Sequence, residues 1–173
     1  MANETATKSL PARSEIPEQD TWKLEDIFAD DKEWEKEFQE VKSQIPGIKE
    51  FEGKLGESAE TLYKALQFQD KLLERIGKLY TYSHMRYDQD TTNSFYQGLD
   101  DRMKNMYSQA ASQLAFIVPE ILSLDESQVT SFLSEKTELK LYEHALAEIN
   151  LQRPHVLTAE QEALLAEASE VMD

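Results

Sequence analysis

Residues 58–87 read SAETLYKALQFQDKLLERIGKLYTYSHMRY, and the spacing of their apolar side chains decides the fold class. Leu62, Leu66, Leu72, Leu73, Ile76, Leu79, Tyr80 and Ser83 recur at helical rather than strand intervals. The stretch therefore predicts one long amphipathic helix with those positions on its buried side. Ser58 stands where an N-cap is needed. Gly77, inside the helix, costs about 1 kcal/mol relative to alanine. A close neighbouring backbone is the expected compensation.

The stretch that follows repeats the pattern. Asp88 to Asn93 is a turn rich in capping residues. Tyr96, Leu99, Met103, Met106, Ala110, Leu114 and Ile117 then step by three or four, with Pro119 as the stop. Two long helices across a short turn predict an antiparallel hairpin. Upstream, Asp30 or Asp31 can cap a helix whose stripe is Trp34, Phe38, Val41 and Ile45, ended by Pro46-Gly47. Downstream come shorter helices. Pro119 suits a first turn, and Asp125 with Gln128 has the form of a capping box. Leu139, Tyr142, Leu146 and Ile149 mark another helix, and residues 153–157 form a connector. Thr158 with Gln161 precedes a last helix at Ala163-Leu164-Leu165-Ala166. The fold class read from this pattern is all-α: a long antiparallel helical hairpin with additional shorter helices.

The organisation expected is a flexible leader over 1–12, a docking arm over 13–30 and a helical lobe over 31–173. Trp22, Leu24, Ile27 and Phe28 are the large apolar groups that would fasten the arm. The last helix has no stop signal, so the natural polypeptide is expected to continue.

Composition excludes several functions. Across 173 residues, 18 basic against 34 acidic side chains give a formal charge of −16. That balance repels phosphate backbones and anionic lipid, so neither nucleic acid nor membrane is an expected partner. No apolar run approaches a membrane span, and residues 1–11 have no secretion-signal core. Cysteine is absent, which removes disulfides, thiolate nucleophiles and cysteine-ligated zinc. A cytoplasmic location fits both features.

No complete reactive site can be read from the residues. A helical zinc peptidase site needs two histidines at i and i+4 with a glutamate beside the first. The three histidines, His84, His144 and His155, contain no such pair. His144 and Glu148, at i and i+4, could offer two ligands, although a surface pairing is the ordinary reading. Asp88 to Thr92 has the carboxylates of a calcium loop. It lacks the glycine at position six, where Asn93 stands, and the glutamate at position twelve, where Leu99 stands. Helix capping accounts for these residues better. No Gly-x-Ser-x-Gly elbow or phosphate-binding glycine loop occurs. Tyr80, Tyr82 and Tyr87 could line a groove but read as packing, as do Met103 and Met106.

Three stretches resemble the N-terminal region of oligoendopeptidase F, a family of zinc metallopeptidases. They are Arg13 to Pro17 with Thr21 to Phe28 and Trp34-Glu35; Leu79 to Tyr82 with Asp88 to Thr91, Asn93 and Tyr96-Gln97; and Phe116 to Leu122 with Leu141-Tyr142, Arg153 to Thr158 and Glu162 to Ala166. Their order and spacing cover nearly all the chain after the leader. The resemblance implies an almost wholly helical cytoplasmic protein with an enclosed channel that admits short peptides. It also implies a catalytic helix bearing His-Glu-x-x-His, a further glutamate ligand, and a zinc-polarised water that attacks a peptide carbonyl.

That motif is absent from this sequence. The resemblance therefore carries no catalytic, cofactor-binding or metal residue onto any position, with His155 in a connector and Glu162 structural. The implied role is the helical N-terminal lobe of a larger zinc metalloendopeptidase that hydrolyses oligopeptides. This segment would wall the channel and be inactive alone, and zinc would belong to the parent polypeptide. Its implied partners are the catalytic domain of the same polypeptide and oligopeptide substrates. Self-association is expected where apolar stripes lack their cover. The alternative is a stand-alone helical adaptor that grips a partner helix; a coding sequence that stops at Asp173 would favour it.

Overall fold

A computed structural model describes residue 11 and residues 13–155, and among these every regular element is helical. The α-helices are α1 (Asp31–Gln44), α2 (Ala59–Gln89), α3 (Ser94–Leu114), α4 (Ile117–Ser123), α5 (Glu126–Glu135) and α6 (Glu143–Leu151). The fold is all-α. The chain divides into two compact units, Met1–Gly47 with Asp70–Ser112 and Ile48–Gln69 with Gln113–Asp173.

The first unit is built on α1, the later part of α2, and α3. Asp30 caps α1 as its spacing predicts: its carboxylate accepts from the backbone N–H groups of Lys32 and Glu33, both at 2.9 Å. Trp34, Phe38, Val41 and Ile45 are all buried. The α-helix gives way at Ile45 to a 3-10 segment, Ile45–Phe51, that runs through Pro46 and Gly47. Pro46 therefore ends the α-type ladder without ending the helical winding.

On α2, Leu72, Ile76, Leu79, Tyr82 and Ser83 are buried, while Leu73 and Tyr80 are 37% and 40% exposed. The expected stripe thus has to be turned slightly. Trp34 of α1 meets the Leu79 carbonyl and His84 meets Asp100 of α3, which centres the buried arc on Ile76, Leu79 and Ser83 and swings Leu73 and Tyr80 outward. Across the turn, the Asp90 carboxylate accepts from the Thr92 backbone N–H and hydroxyl, and Asn93 accepts from the Phe95 N–H. Leu99, Met103, Met106 and Ala110 of α3 are buried. The helix stops at Leu114, so Ile117 belongs to α4 and Pro119 lies in α4's first turn. A missing N–H is harmless there.

In the arm, Leu24 is buried, Phe28 meets Tyr82 edge-on with centroids 5.5 Å apart, and Glu25 pairs with Arg86 at 3.1 Å. Trp22 is not a fastener, being 78% exposed. Gly77 also departs from expectation: a Cβ built on it meets nothing within 4 Å. Among the described residues no close backbone repays its cost. Gly77→Ala in this chain is therefore expected to raise stability by about 1 kcal/mol, measured by urea unfolding. A loss would show that a neighbour does press on this position.

The second unit has its own core, in which Ile48, Leu55, Leu62, Ala65, Ile117, Ile121, Val129, Phe132, Leu139, Tyr142 and Leu146 are buried. The Ser58 hydroxyl accepts from the Thr61 N–H at 3.1 Å, which confirms it as a cap of α2. Gly53 takes φ +76°, a conformation that glycine adopts without a Cβ penalty. Glu120 clamps this turn by accepting from the N–H groups of Gly53 at 2.8 Å and Leu55 at 2.7 Å.

The capping box at Asp125 does not form, because Asp125 makes no side-chain cap bond. Gln128 instead turns away and donates to the Gly56 carbonyl at 2.8 Å. Leu139 and Tyr142 lie in a 3-10 segment, Thr137–Tyr142, that precedes α6. The capping pattern at Thr158 and Gln161 and the helix at 163–166 lie outside the described residues.

Candidate functional site

Among the described residues of the first unit Asp100 is the buried charge, with only 2% of its surface exposed. It sits on α3 one residue beyond the buried Leu99, so the helix that buries its neighbours carries it inward. His84 Nδ1 lies 2.9 Å from Oδ1, and Lys104 Nζ lies 2.7 Å from Oδ2. Burial alone would push this carboxyl up. The hydrogen bonds from Lys104 and His84 outweigh burial and hold it below the ordinary carboxylate value. Tyr80 stacks on His84 with ring centroids 5.1 Å apart, which fixes the imidazole plane.

A folded-state value below the unfolded one stabilises the protein above the unfolded pKa, and that contribution is lost as pH falls through the folded value. The stability advantage of wild type over Asp100→Asn is therefore expected at pH 7 and should shrink toward about pH 2. Urea unfolding at both pH values measures it. A constant difference would show that the charge on Asp100 contributes nothing.

A second network surrounds Arg86. Its guanidinium lies over the rings of Tyr82 and Tyr96, at 5.1 and 5.9 Å, and donates to Glu25. The Tyr82 hydroxyl donates to Asp31 at 2.9 Å. Burial, together with that bond to Asp31, pushes the Tyr82 phenol up to about 12, so it does not serve as a base at neutral pH. Further along the same face of α1, Arg102 covers the Phe38 ring at 4.2 Å and makes a bidentate pair with Glu35 at 2.7 and 2.8 Å. The hydrogen bond from Arg102 keeps the Glu35 carboxyl below its ordinary value. Every one of these charges is committed to a partner, which suits positioning and packing rather than proton transfer.

The residues that could have formed a metal site are not gathered. His84 belongs to the Asp100 cluster, His144 and Glu148 are exposed on α6, and the His155 side chain is outside the description. Among the described residues no three His, Asp or Glu side chains come close enough to hold a metal ion. The described residues thus do not fit a catalytic zinc. Asp90 is occupied with turn capping rather than with a cation loop. Tyr82 and the two methionines are core, as read from the sequence, and Tyr80 is a half-open stacking surface.

Asp100, Arg86 and Arg102 were not singled out by sequence reasoning. For Asp100 there was a signal: an acid inside an apolar stripe with a lysine four residues on. For the arginines there was none, because their aromatic partners are distant in sequence.

Comparison with known proteins decides what this scaffold is. The family described as Oligopeptidase F matches residues 120–173. Oligopeptidase PepF of Bacillus subtilis is 59% identical over 172 residues, which is 99% of this chain and 26% of that protein. The chain is similar over almost its whole length to oligoendopeptidase F proteins. In three dimensions it is similar to the crystal structure of oligoendopeptidase-F from Enterococcus faecium, with TM-score 0.67 and 32% identity over 82% of this chain and 28% of that one. A solved chain from Chlamydophila abortus gives TM-score 0.80 and 25% identity, covering 92% of this chain and 27% of that one. The chain spans about a quarter of the length of the relatives it matches. No described helix is long and apolar enough to cross a membrane.

Proposed function

We propose that this chain is the helical N-terminal lobe of a cytoplasmic zinc metalloendopeptidase that hydrolyses oligopeptides. In this reading it walls one side of a substrate channel and contributes no catalytic or metal-binding residue. The observation that carries it is the 59% identity to PepF, extending over almost all of this chain but only a quarter of PepF. The sequence holds no His-Glu-x-x-His, and in this reading zinc and its general base belong to the other three quarters. The segment organisation proposed from sequence, with a leader over 1–12, an arm over 13–30 and a lobe over 31–173, belongs to the same reading.

Two preparations test it with one quenched-fluorescent oligopeptide. The purified 173-residue chain with added zinc is expected to give no hydrolysis. The same chain fused in place of the matching quarter of Bacillus PepF is expected to hydrolyse the peptide and to stop when zinc is chelated. Cleavage by the segment alone, or a folded fusion that is inactive with zinc, would refute the proposal.

A further inference from the structure

The outer face of the α2–α3 hairpin carries half-open side chains that no other described element covers. Leu73, Gly77, Tyr80 and His84 stand at i, i+4, i+7 and i+11 on α2, and Asp100, Lys104, Tyr107 and Ala111 repeat that spacing on α3. Each set makes one stripe. The 2.9 Å contact between His84 and Asp100 lays the stripes side by side within the first unit.

Tyr107 is 60% exposed, and Leu73 and Tyr80 stand 37% and 40% open. Gly77 between them bares the helix backbone, with no atom within 4 Å of a Cβ placed there. A glycine in mid-helix costs stability, and no contact among the described residues repays it. The Asp100 carboxylate, with 2% of its surface exposed, is paired there with His84 and Lys104 of its own hairpin.

We infer that the face formed by Leu73, Gly77, Tyr80, Tyr107 and Ala111, around the His84–Asp100–Lys104 cluster, is the seat of the remaining three quarters of the peptidase polypeptide. Gly77 is the point of closest backbone approach. The inference rests on the function proposed above. Two observations select this occupant. The relatives hold about three quarters of their length outside the region matched here. The self-association expected of uncovered stripes has to work against a formal charge of −16 on each copy, which ranks a second copy behind this occupant. The seat calls for an apolar helix face opposite the tyrosines and a small residue opposite Gly77.

The lack of cysteine in this chain makes the test clean. Tyr80→Cys, Tyr107→Cys and, as a control on the exposed side of α1, Lys36→Cys are labelled with a maleimide in two settings. One is the chain alone. The other is the chain fused to the remaining three quarters of Bacillus PepF, with labelling of native cysteines subtracted. The expected result is slowing by about tenfold or more at positions 80 and 107 in the fusion, since a covered thiol must wait for local opening, with position 36 unchanged. Equal rates at all three positions would overturn the inference. So would slowing in the chain alone that grows with its concentration, which assigns the face to a second copy. A fusion that hydrolyses peptide yet labels rapidly refutes the seat and leaves the function standing; slow labelling without hydrolysis does the reverse.

Discussion

Trp34→Ala is expected to destabilise the first unit by about 3–5 kcal/mol, the range for removing a fully buried aromatic side chain. Trp34 has no exposed surface, stacks on Phe38 with centroids 5.1 Å apart, and donates from Nε1 to the Leu79 carbonyl at 2.9 Å. It is also one of the two rings beneath the Arg102 guanidinium, at 5.3 Å. Truncation opens a cavity between α1 and α2 and removes part of the platform for the Arg102–Glu35 pair, so several losses coincide. Trp34→Phe should recover much of the packing without the indole hydrogen bond. Chemical unfolding followed by circular dichroism measures both variants. A cost below about 1 kcal/mol for the alanine variant would show that this indole does not organise the unit.

Glu120→Ala is the second large effect, expected at about 2–3 kcal/mol. The Glu120 carboxylate satisfies two backbone donors at once, at Gly53 and Leu55, and hydrogen bonds to charged groups contribute roughly 1.5–3 kcal/mol each. Water can replace the bond at exposed Gly53 more easily than the one at Leu55, where the side chain is buried. That asymmetry keeps the sum below two full bonds. Glu120→Gln retains one acceptor and should fall between wild type and alanine. Equal stabilities for all three proteins would show that the turn holds itself without the clamp.

Local signals were the most legible part of this fold. Asp30 and Ser58 cap α1 and α2 because each side-chain oxygen reaches an N–H two or three residues away, a requirement written within four residues of sequence. The same reasoning failed at Asp125 because its partner, Gln128, found a better acceptor in the Gly56 carbonyl. That competitor is far away along the chain and invisible to a short pattern.

The hydrophobic stripe of α2 gave the helix and its length. Its exact facing depended on where α1 and α3 came to lie, which periodicity does not specify; hence Leu73 and Tyr80 turned outward. Three scattered histidines and no cysteine spell out no complete reactive motif in the sequence. The arginine clamps could not, since Arg86 and Arg102 acquire their meaning from Tyr82, Tyr96, Trp34 and Phe38 only after folding. Gly77 was recognised as costly from sequence, and the surroundings that expose it emerged only in three dimensions.

The chain contains two tryptophans, and both fall in the first unit, one shielded and one open. Their emission is consequently an optical label for that unit alone. Trp22 should surrender its light to an aqueous quencher such as iodide, leaving a residual blue-shifted signal from Trp34. The second unit glows only through tyrosine, so its melting can be followed separately in the ellipticity that remains once the Trp34 signal has shifted.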